Sequence, residues 1–349
     1  MNDEPTREPD RSAPVAVIGA GSWGTALAIQ LARAGNDVRL WGRDREAIND
    51  MRRERCNKRY LPDARFPERV VVQADLDRAL TGATTVLVVV PSHAFRATLA
   101  SLKEHADTIG DEFGLAWATK GLEMATGELP HQVAAGTLPA VQRLAVLSGP
   151  TFAMEVGAGL PTALTVAARP MSFADELAAR LSSQAFRAYT SGDMIGVEVG
   201  GAVKNALAIA AGLADGLGFG ANARVALINR GLREMTRFGI ALGADEETFA
   251  GLAAMGDLVL TCTDDQSRNR RMGLALAAGQ GVERAAAAIG QVVEGVKAAK
   301  AVHQQAQRLG VDMPIVEQIY RILYENVDPR DAVQALMGRA SRSENDGES

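Results

Sequence analysis

Through the first half of the chain, short runs of apolar, mostly β-branched residues alternate with longer amphipathic stretches. The runs are Val15–Ile18, Val38–Trp41, Val70–Val72, Val86–Val90, Leu115–Ala118 and Leu144–Leu147. Between them, Gly24–Ala34, Arg45–Cys56 and His93–His105 follow a helical period. Continuous runs such as VLVVV, without polar alternation, fit parallel strands covered on both faces. The alternation predicts βαβ units and an α/β, Rossmann-like, doubly wound sheet. Two further β-like runs, Ala163–Val166 and Phe186–Thr190, extend it.

After about Gly192 the pattern changes. β-rich runs stop, and Ala, Leu and Gly dominate. Val203–Ala214, Val225–Leu242, Arg268–Ala278, Val292–Leu309 and Pro314–Tyr324 read as helices. Val225, Ile228, Leu232 and Met235 share one helical face. The expected organisation is a tail over 1–13, a dinucleotide-binding domain over 14–195, an all-helical substrate domain over 196–338 and a second tail over 339–349.

Composition narrows the function classes. With 349 residues the chain is long enough for two domains and a core without staples. Lys and Arg total 37 against 42 Asp and Glu, a net charge of -5, which argues against broad nucleic-acid or membrane-surface binding. Two cysteines, Cys56 and Cys262, cannot make a disulfide framework or a cysteine zinc cluster, and no metal-ligand spacing occurs. The polar, proline-bearing start has no apolar targeting core, and no uninterrupted apolar run reaches membrane-spanning length. The expectation is a cytoplasmic protein with reduced thiols, no metal and no stable membrane insertion.

The strand Val15–Ile18 runs straight into Gly19-Ala20-Gly21-Ser22-Trp23-Gly24. This is G-x-G-x-x-G between a strand and a helix. Gly19 permits a tight turn, Gly21 lets the backbone approach a pyrophosphate, and Gly24 allows close helix–strand packing. The helix start then offers amide donors to the phosphates. At the end of the second strand, Arg43 is placed to accept a 2′-phosphate, which favours NADP. Its neighbour Asp44 leaves NAD open.

Six lysines stand against 31 arginines. Lys120 follows a predicted strand in WATKG, and Lys204 lies in a predicted helix in GGAVKNA. Lysines among Gly, Ala and Val are partly desolvated, which lowers their pKa towards neutrality and suits them to proton transfer. Asp257, in an otherwise apolar segment, is placed to orient Lys204 or a substrate hydroxyl. In Ser267-Arg268-Asn269, Ser267 is a helix N-cap, and the free amides with Arg268 and Asn269 make an anion site. The glycine-rich stretch 216–222, between helices, reads as a loop near ligand or simply as a mobile connection.

The blocks GAGSWGTALA (19–28), VVVPSHAF (88–95), WATKGLE (117–123), SGPTFAMEVGAGLPTA (148–163), GGAVKNALAIAAG (200–212), DGLGFGANAR (215–224), GDLVLTCTDDQSRNRRMG (256–273) and GQVVEG (290–295), in order from about residue 15 to 338, resemble bacterial NAD(P)-dependent sn-glycerol-3-phosphate dehydrogenases. The resemblance implies reversible reduction of dihydroxyacetone phosphate with NADH or NADPH, in supply of the phospholipid glycerol backbone. It implies Lys204 as the general acid/base. It implies Lys120, Gly149, Thr151, Lys204, Asp257, Ser267, Arg268 and Asn269 as substrate contacts. Ser22, Trp23, Arg43, Tyr60, Lys120, Ala153, Arg268, Val292 and Glu294 are the implied cofactor contacts, beside the fingerprint glycines. The expected partners are the small-molecule substrate and a second copy of the chain. A related β-hydroxy acid dehydrogenase would need a carboxylate site in place of SRNRR, and a nucleotide-sensing regulator would need a basic recognition helix, which the chain lacks.

Overall fold

The computed structural model describes residues 13–109 and 113–337. The tails expected at 1–13 and 339–349 lie, Ala13 apart, outside the described residues.

The apolar runs become strands β1 (Val15–Ile18), β2 (Val38–Trp41), β5 (Val70–Gln73), β6 (Thr85–Val88), β7 (Gly114–Trp117), β8 (Leu144–Ser148), β9 (Thr162–Arg169) and β10 (Phe186–Ser191). They form one sheet in the order β10-β9-β8-β7-β6-β1-β2-β5. A hairpin not anticipated from the sequence, β3 (Cys56–Asn57) with β4 (Leu61–Arg65), stands apart as a second sheet. Helices α1 (Ser22–Arg33), α2 (Arg45–Glu54), α3 (Leu76–Leu80), α4 (Phe95–Glu104), α5 (Ala106–Ile109), α6 (Pro130–Thr137), α7 (Ala153–Ala158) and α8 (Met171–Leu181) connect the strands. The central strands β1, β6 and β7 are buried along their whole length, as unalternated runs require. Strands β6 and β7 end at Val88 and Trp117, before Val90 and Ala118, so the chain leaves the sheet just ahead of Lys120.

The sheet is not wholly parallel. β9 runs antiparallel to β8, and β10 runs parallel to β9. The reason lies in the connection. The only helix between β8 and β9 is α7, with 6 residues. It rises only about 9 Å, short of the roughly 17 Å of a five-residue strand, so the chain turns back instead of crossing over.

From residue 194 the chain is helical: α9 (Met194–Gly216), α10 (Gly220–Ala241), α11 (Asp257–Thr263), α12 (Arg268–Ala277), α13 (Val282–Ile289), α14 (Glu294–Leu309), α15 (Pro314–Tyr324) and α16 (Pro329–Met337). The expected helix 203–214 is thus the second part of a longer one. α9 is long and apolar enough to cross a membrane, yet 94% of its most apolar stretch is buried inside the protein, because the other helices and strands β8 and β9 pack around it. Close approach explains its glycines. A Cβ on Gly212 would lie 2.0 Å from the Arg270 carbonyl oxygen, so α9 and α12 touch backbone to backbone.

Two expectations change here. The connection within 216–222 is shorter than expected: Gly216 ends α9 and Gly220 starts α10, leaving Leu217–Phe219 between the helices. Of the apolar face of α10, Met235 is fully buried but Val225 is 65% exposed, since the first turns of α10 extend beyond the core that covers its later ones.

Candidate active site

The site is built where the carboxyl ends of the strands meet α9, α11, α12 and the start of α14. The β1–α1 turn carries the fingerprint. Gly19 has φ +124°, and a Cβ there would lie 2.2 Å from the Val89 carbonyl oxygen. A Cβ on Gly24 would lie 1.8 Å from the Gly19 carbonyl oxygen. Gly21, by contrast, faces open space, with nothing within 4 Å of such a Cβ. It is also the N-cap of α1, which has no side-chain cap, so the first amides are left for an outside acceptor. Tight packing at two glycines and clearance at the third fit a dinucleotide pyrophosphate. Ser22 and Trp23 are half-buried beside it.

Past β2, Arg43 is exposed. Asp44 is the N-cap of α2: its Oδ1 accepts from the backbone N–H groups of Glu46 and Ala47, both at 3.1 Å. That role explains why an acid stands beside Arg43 without implying a ribose contact.

Two ammonium groups converge on one carboxylate. Lys120 follows β7 and donates to Asp257 Oδ2 at 2.6 Å. Lys204, in the middle of α9, donates to Asp257 Oδ1 and, at 3.0 Å, to Thr261 Oγ1. Asp257 is the first residue of α11, and Thr261 sits one turn on, its hydroxyl donating back to the Asp257 carbonyl at 2.6 Å. Lys204 is 7% exposed and Asp257 1%, while Lys120 keeps one side open. Burial pushes the Lys204 pKa down to about 7; Asp257 opposes that and Lys120 adds to it. Burial also opposes ionisation of Asp257, but the two cations outweigh it and hold its carboxyl below the usual range. The cluster therefore contains a lysine that can give or take a proton near neutrality and a second cation that stays available at the surface of the cleft.

Gly149 and Thr151 follow β8. A Cβ on Gly149 would lie 2.7 Å from the Leu164 Cα, so only glycine lets β8 exit past β9. Thr151 and Ala153 are half-buried, with Ala153 opening α7. Ser267 caps α12 as the sequence predicts, its Oγ accepting from the Arg270 N–H at 3.2 Å. Arg268 is half-buried; desolvation lowers its pKa, and the nearby Glu294 and Tyr60 counter that effect. Tyr60, from the β3–β4 connection, is thus within electrostatic reach of Arg268. Glu294 opens α14 and accepts from Ser92 Oγ at 2.9 Å, a bond from the loop after β6 to the helical half. Val292 is exposed just before it. Asn269 is 8% exposed, and its amide already works inside the fold: Nδ2 donates to Asn205 Oδ1 at 2.8 Å and Oδ1 accepts from the Gly295 N–H at 2.9 Å.

Several participants escaped the sequence reading. Thr261 stands at i+4 from Asp257, a spacing that places both on one helix face, and that signal was available. Asn205 and Ser92 carried no comparable signal, because their partners Asn269 and Glu294 are remote in sequence.

Comparison with known proteins agrees with this layout. The family described as NAD-dependent glycerol-3-phosphate dehydrogenase N-terminus matches residues 14–174, and its C-terminus counterpart matches residues 193–334. Glycerol-3-phosphate dehydrogenase [NAD(P)+] of Edwardsiella ictaluri is 55% identical over 334 residues, covering 95% of this chain and 98% of that protein. The Pseudoalteromonas translucida protein of the same name is also 55% identical, with 95% and 99% covered. The crystal structure of glycerol-3-phosphate dehydrogenase from Coxiella burnetii superposes with a TM-score of 0.90 at 49% identity, covering 94% of this chain and 99% of that one. A ketopantoate reductase from Ralstonia eutropha, at 17% identity and TM-score 0.56, shares the fold alone.

Proposed function

The chain belongs to the NAD-dependent glycerol-3-phosphate dehydrogenase family, and from that premise we propose how its own residues carry the reaction. It is an NAD(P)-dependent oxidoreductase acting on a CH–OH group, interconverting dihydroxyacetone phosphate and sn-glycerol 3-phosphate. When bound, the nicotinamide cofactor supplies the hydride for the ketone carbon.

Lys204 is the general acid. It donates a proton to the carbonyl oxygen as negative charge develops there, and takes it back in the oxidation direction. The observation that carries this role is the shared carboxylate: Asp257 holds the Nζ of Lys204 with Oδ1 and that of Lys120 with Oδ2. One fixed anion thus sets two cations side by side; burial keeps the Lys204 pKa low, and the neighbouring Lys120 lowers it further. Lys120, less buried, steadies the oxygen electrostatically. Arg268 and the Ser267-capped helix start hold the phosphate, and that binding energy positions the carbonyl. Gly149 and Thr151 line the substrate side. Ser22, Trp23, Tyr60, Ala153, Val292 and Glu294 line the cofactor side with the fingerprint glycines. Asn269 contributes by fixing the α12 start to α9 and α14, a role its internal hydrogen bonds favour over direct contact.

The domains divide near residues 191–200, with 14–195 binding cofactor and 196–338 supplying substrate contacts and Lys204. The enzyme works in the cytoplasm, where its two buried thiols stay reduced, and its product feeds glycerophospholipid synthesis. A second copy of the chain is the proposed partner; the exposed Phe219 and Val225 at the start of α10 offer apolar surface for it. Turnover measured with dihydroxyacetone phosphate and with short β-keto acids tests the substrate assignment. The phosphorylated ketone should be strongly preferred; equal turnover of a keto acid would reverse it.

A further inference from the structure

One carboxylate outside the lysine cluster is fully buried and fully engaged. Glu198 lies on α9 six residues before Lys204, in the segment Gly196-Val197-Glu198-Val199-Gly200. Its Oε1 accepts from Trp117 Nε1 at 3.0 Å and from the His131 backbone N–H at 2.8 Å. Its Oε2 is 2.6 Å from His131 Nδ1. Burial pushes the Glu198 carboxyl up, and these bonds counter the push. An acid so placed is costly unless every oxygen is satisfied, and here three groups satisfy it.

The partners stand at two telling places. Trp117 is the last residue of β7, three before Lys120. His131 is in the first turn of α6, to which the chain returns after Lys120. The loop that carries Lys120 is therefore fastened at both ends to one side chain, and that side chain belongs to the helix of Lys204. Between the two, α9 runs against the Lys120 stem: a Cβ on Gly201 would lie 3.1 Å from Ser148 Oγ and 3.4 Å from Lys120 Cγ. Trp117 is itself fully buried and packs edge-on against Phe95, 5.8 Å between ring centroids, so the strand end is rigid on its other face.

We propose that Glu198 is a positioning residue: by clasping Trp117 and His131 it sets the loop of Lys120 against the helix of Lys204, and so fixes the two ammonium groups on either oxygen of Asp257. The inference rests on the reading of Lys204 and Lys120 given above. Glu198 acts through geometry and not through its charge, since Gln in its place can still accept from Trp117 and the His131 N–H and can donate to His131 Nδ1 in its other tautomer.

The test is steady-state kinetics on folded, full-length variants, with circular dichroism to establish the fold. Glu198→Ala should lower kcat about 10- to 100-fold, the scale of a small misplacement at a reacting centre, while the KM for cofactor stays at the parent value. Glu198→Gln should keep kcat within about threefold and keep the parent pH profile. Trp117→Phe, which removes one donor and keeps an aromatic, though smaller, ring, should fall between them and covers the case in which the alanine variant does not fold. In a Lys120→Ala background, Glu198→Ala should add little, because the group it positions is gone. A folded Glu198→Ala or Trp117→Phe enzyme with parent kcat would overturn the proposal. So would a Glu198→Gln variant as impaired as Glu198→Ala, or full additivity with Lys120→Ala. Lys204→Ala, run alongside, separates the two levels: parent turnover there would sink the functional reading, whereas its loss together with a normal Glu198→Ala enzyme would sink only the positioning role.

Discussion

Lys204 and Asp257 form an ion pair sealed from solvent on the Asp257 side, with the cation driven towards neutrality and the anion held ionised. The pH dependence follows from the sign of that shift. Burial pushes the Lys204 pKa down from the ordinary 10.5 to about 7. Ketone reduction uses the protonated lysine, so its kcat should be level at low pH and fall as pH rises through about 7. Alcohol oxidation uses the neutral lysine, so its kcat should rise through the same region and then level. Rates in both directions from pH 5.5 to 9 check this; an edge near 10 in either direction would contradict it.

Asp257→Asn leaves two ammonium groups together without their anion. The Lys204 pKa should drop further, moving the edge to lower pH. Stability at neutral pH should fall by less than about 3–5 kcal/mol, the cost of a stranded buried charge, because Lys204 sheds its proton. Urea titration and the pH–rate profile of the same sample read both effects, and an unshifted edge would remove Asp257 from control of Lys204.

Arg43 is exposed at the end of β2 while Asp44 is occupied as a helix cap. That leaves Arg43 as the side chain free to meet a 2′-phosphate. Arg43→Ala should weaken NADPH by about 1.5–3 kcal/mol, the scale of a charged hydrogen bond, and NADH far less. Isothermal titration with both cofactors decides, and equal losses would make Arg43 an ordinary surface residue.

Arg268 stands at the start of α12, beside the Ser267 cap, in an acidic protein. Arg268→Ala should raise KM for dihydroxyacetone phosphate and lower kcat too, with a loss in kcat/KM of up to about 3–5 kcal/mol. Unphosphorylated dihydroxyacetone is the control: it should be a poor substrate for the parent and lose little more in the variant. A variant that discriminates between the two ketones as well as the parent would put the phosphate elsewhere.

The legible parts of this molecule are those written in local pattern. VLVVV announces a buried strand, GAGSWG announces a phosphate turn, and Ser267 announces a helix start, because each depends on neighbours within a few residues. Lys204 was conspicuous for its apolar setting. What stayed hidden depends on contacts across the chain. Nothing near Glu198 reveals that Trp117 and His131 close on it. The reversed β9 depends on the short reach of α7 and not on the composition of the strand. Asn269 could be read as a ligand contact because an amide at a helix start suits an anion; its internal bonds to Asn205 and Gly295 appear only once three helices are packed.

The central claim is that Lys204 supplies and accepts the proton. Turnover of the Lys204→Ala enzyme with dihydroxyacetone phosphate, together with its cofactor affinity, tests this most directly. The account predicts kcat lower by roughly 10²–10⁴, the usual worth of one general acid, with the dissociation constants of NADH and NADPH close to those of the parent. A folded Lys204→Ala enzyme that turns over at near the parent rate would contradict it.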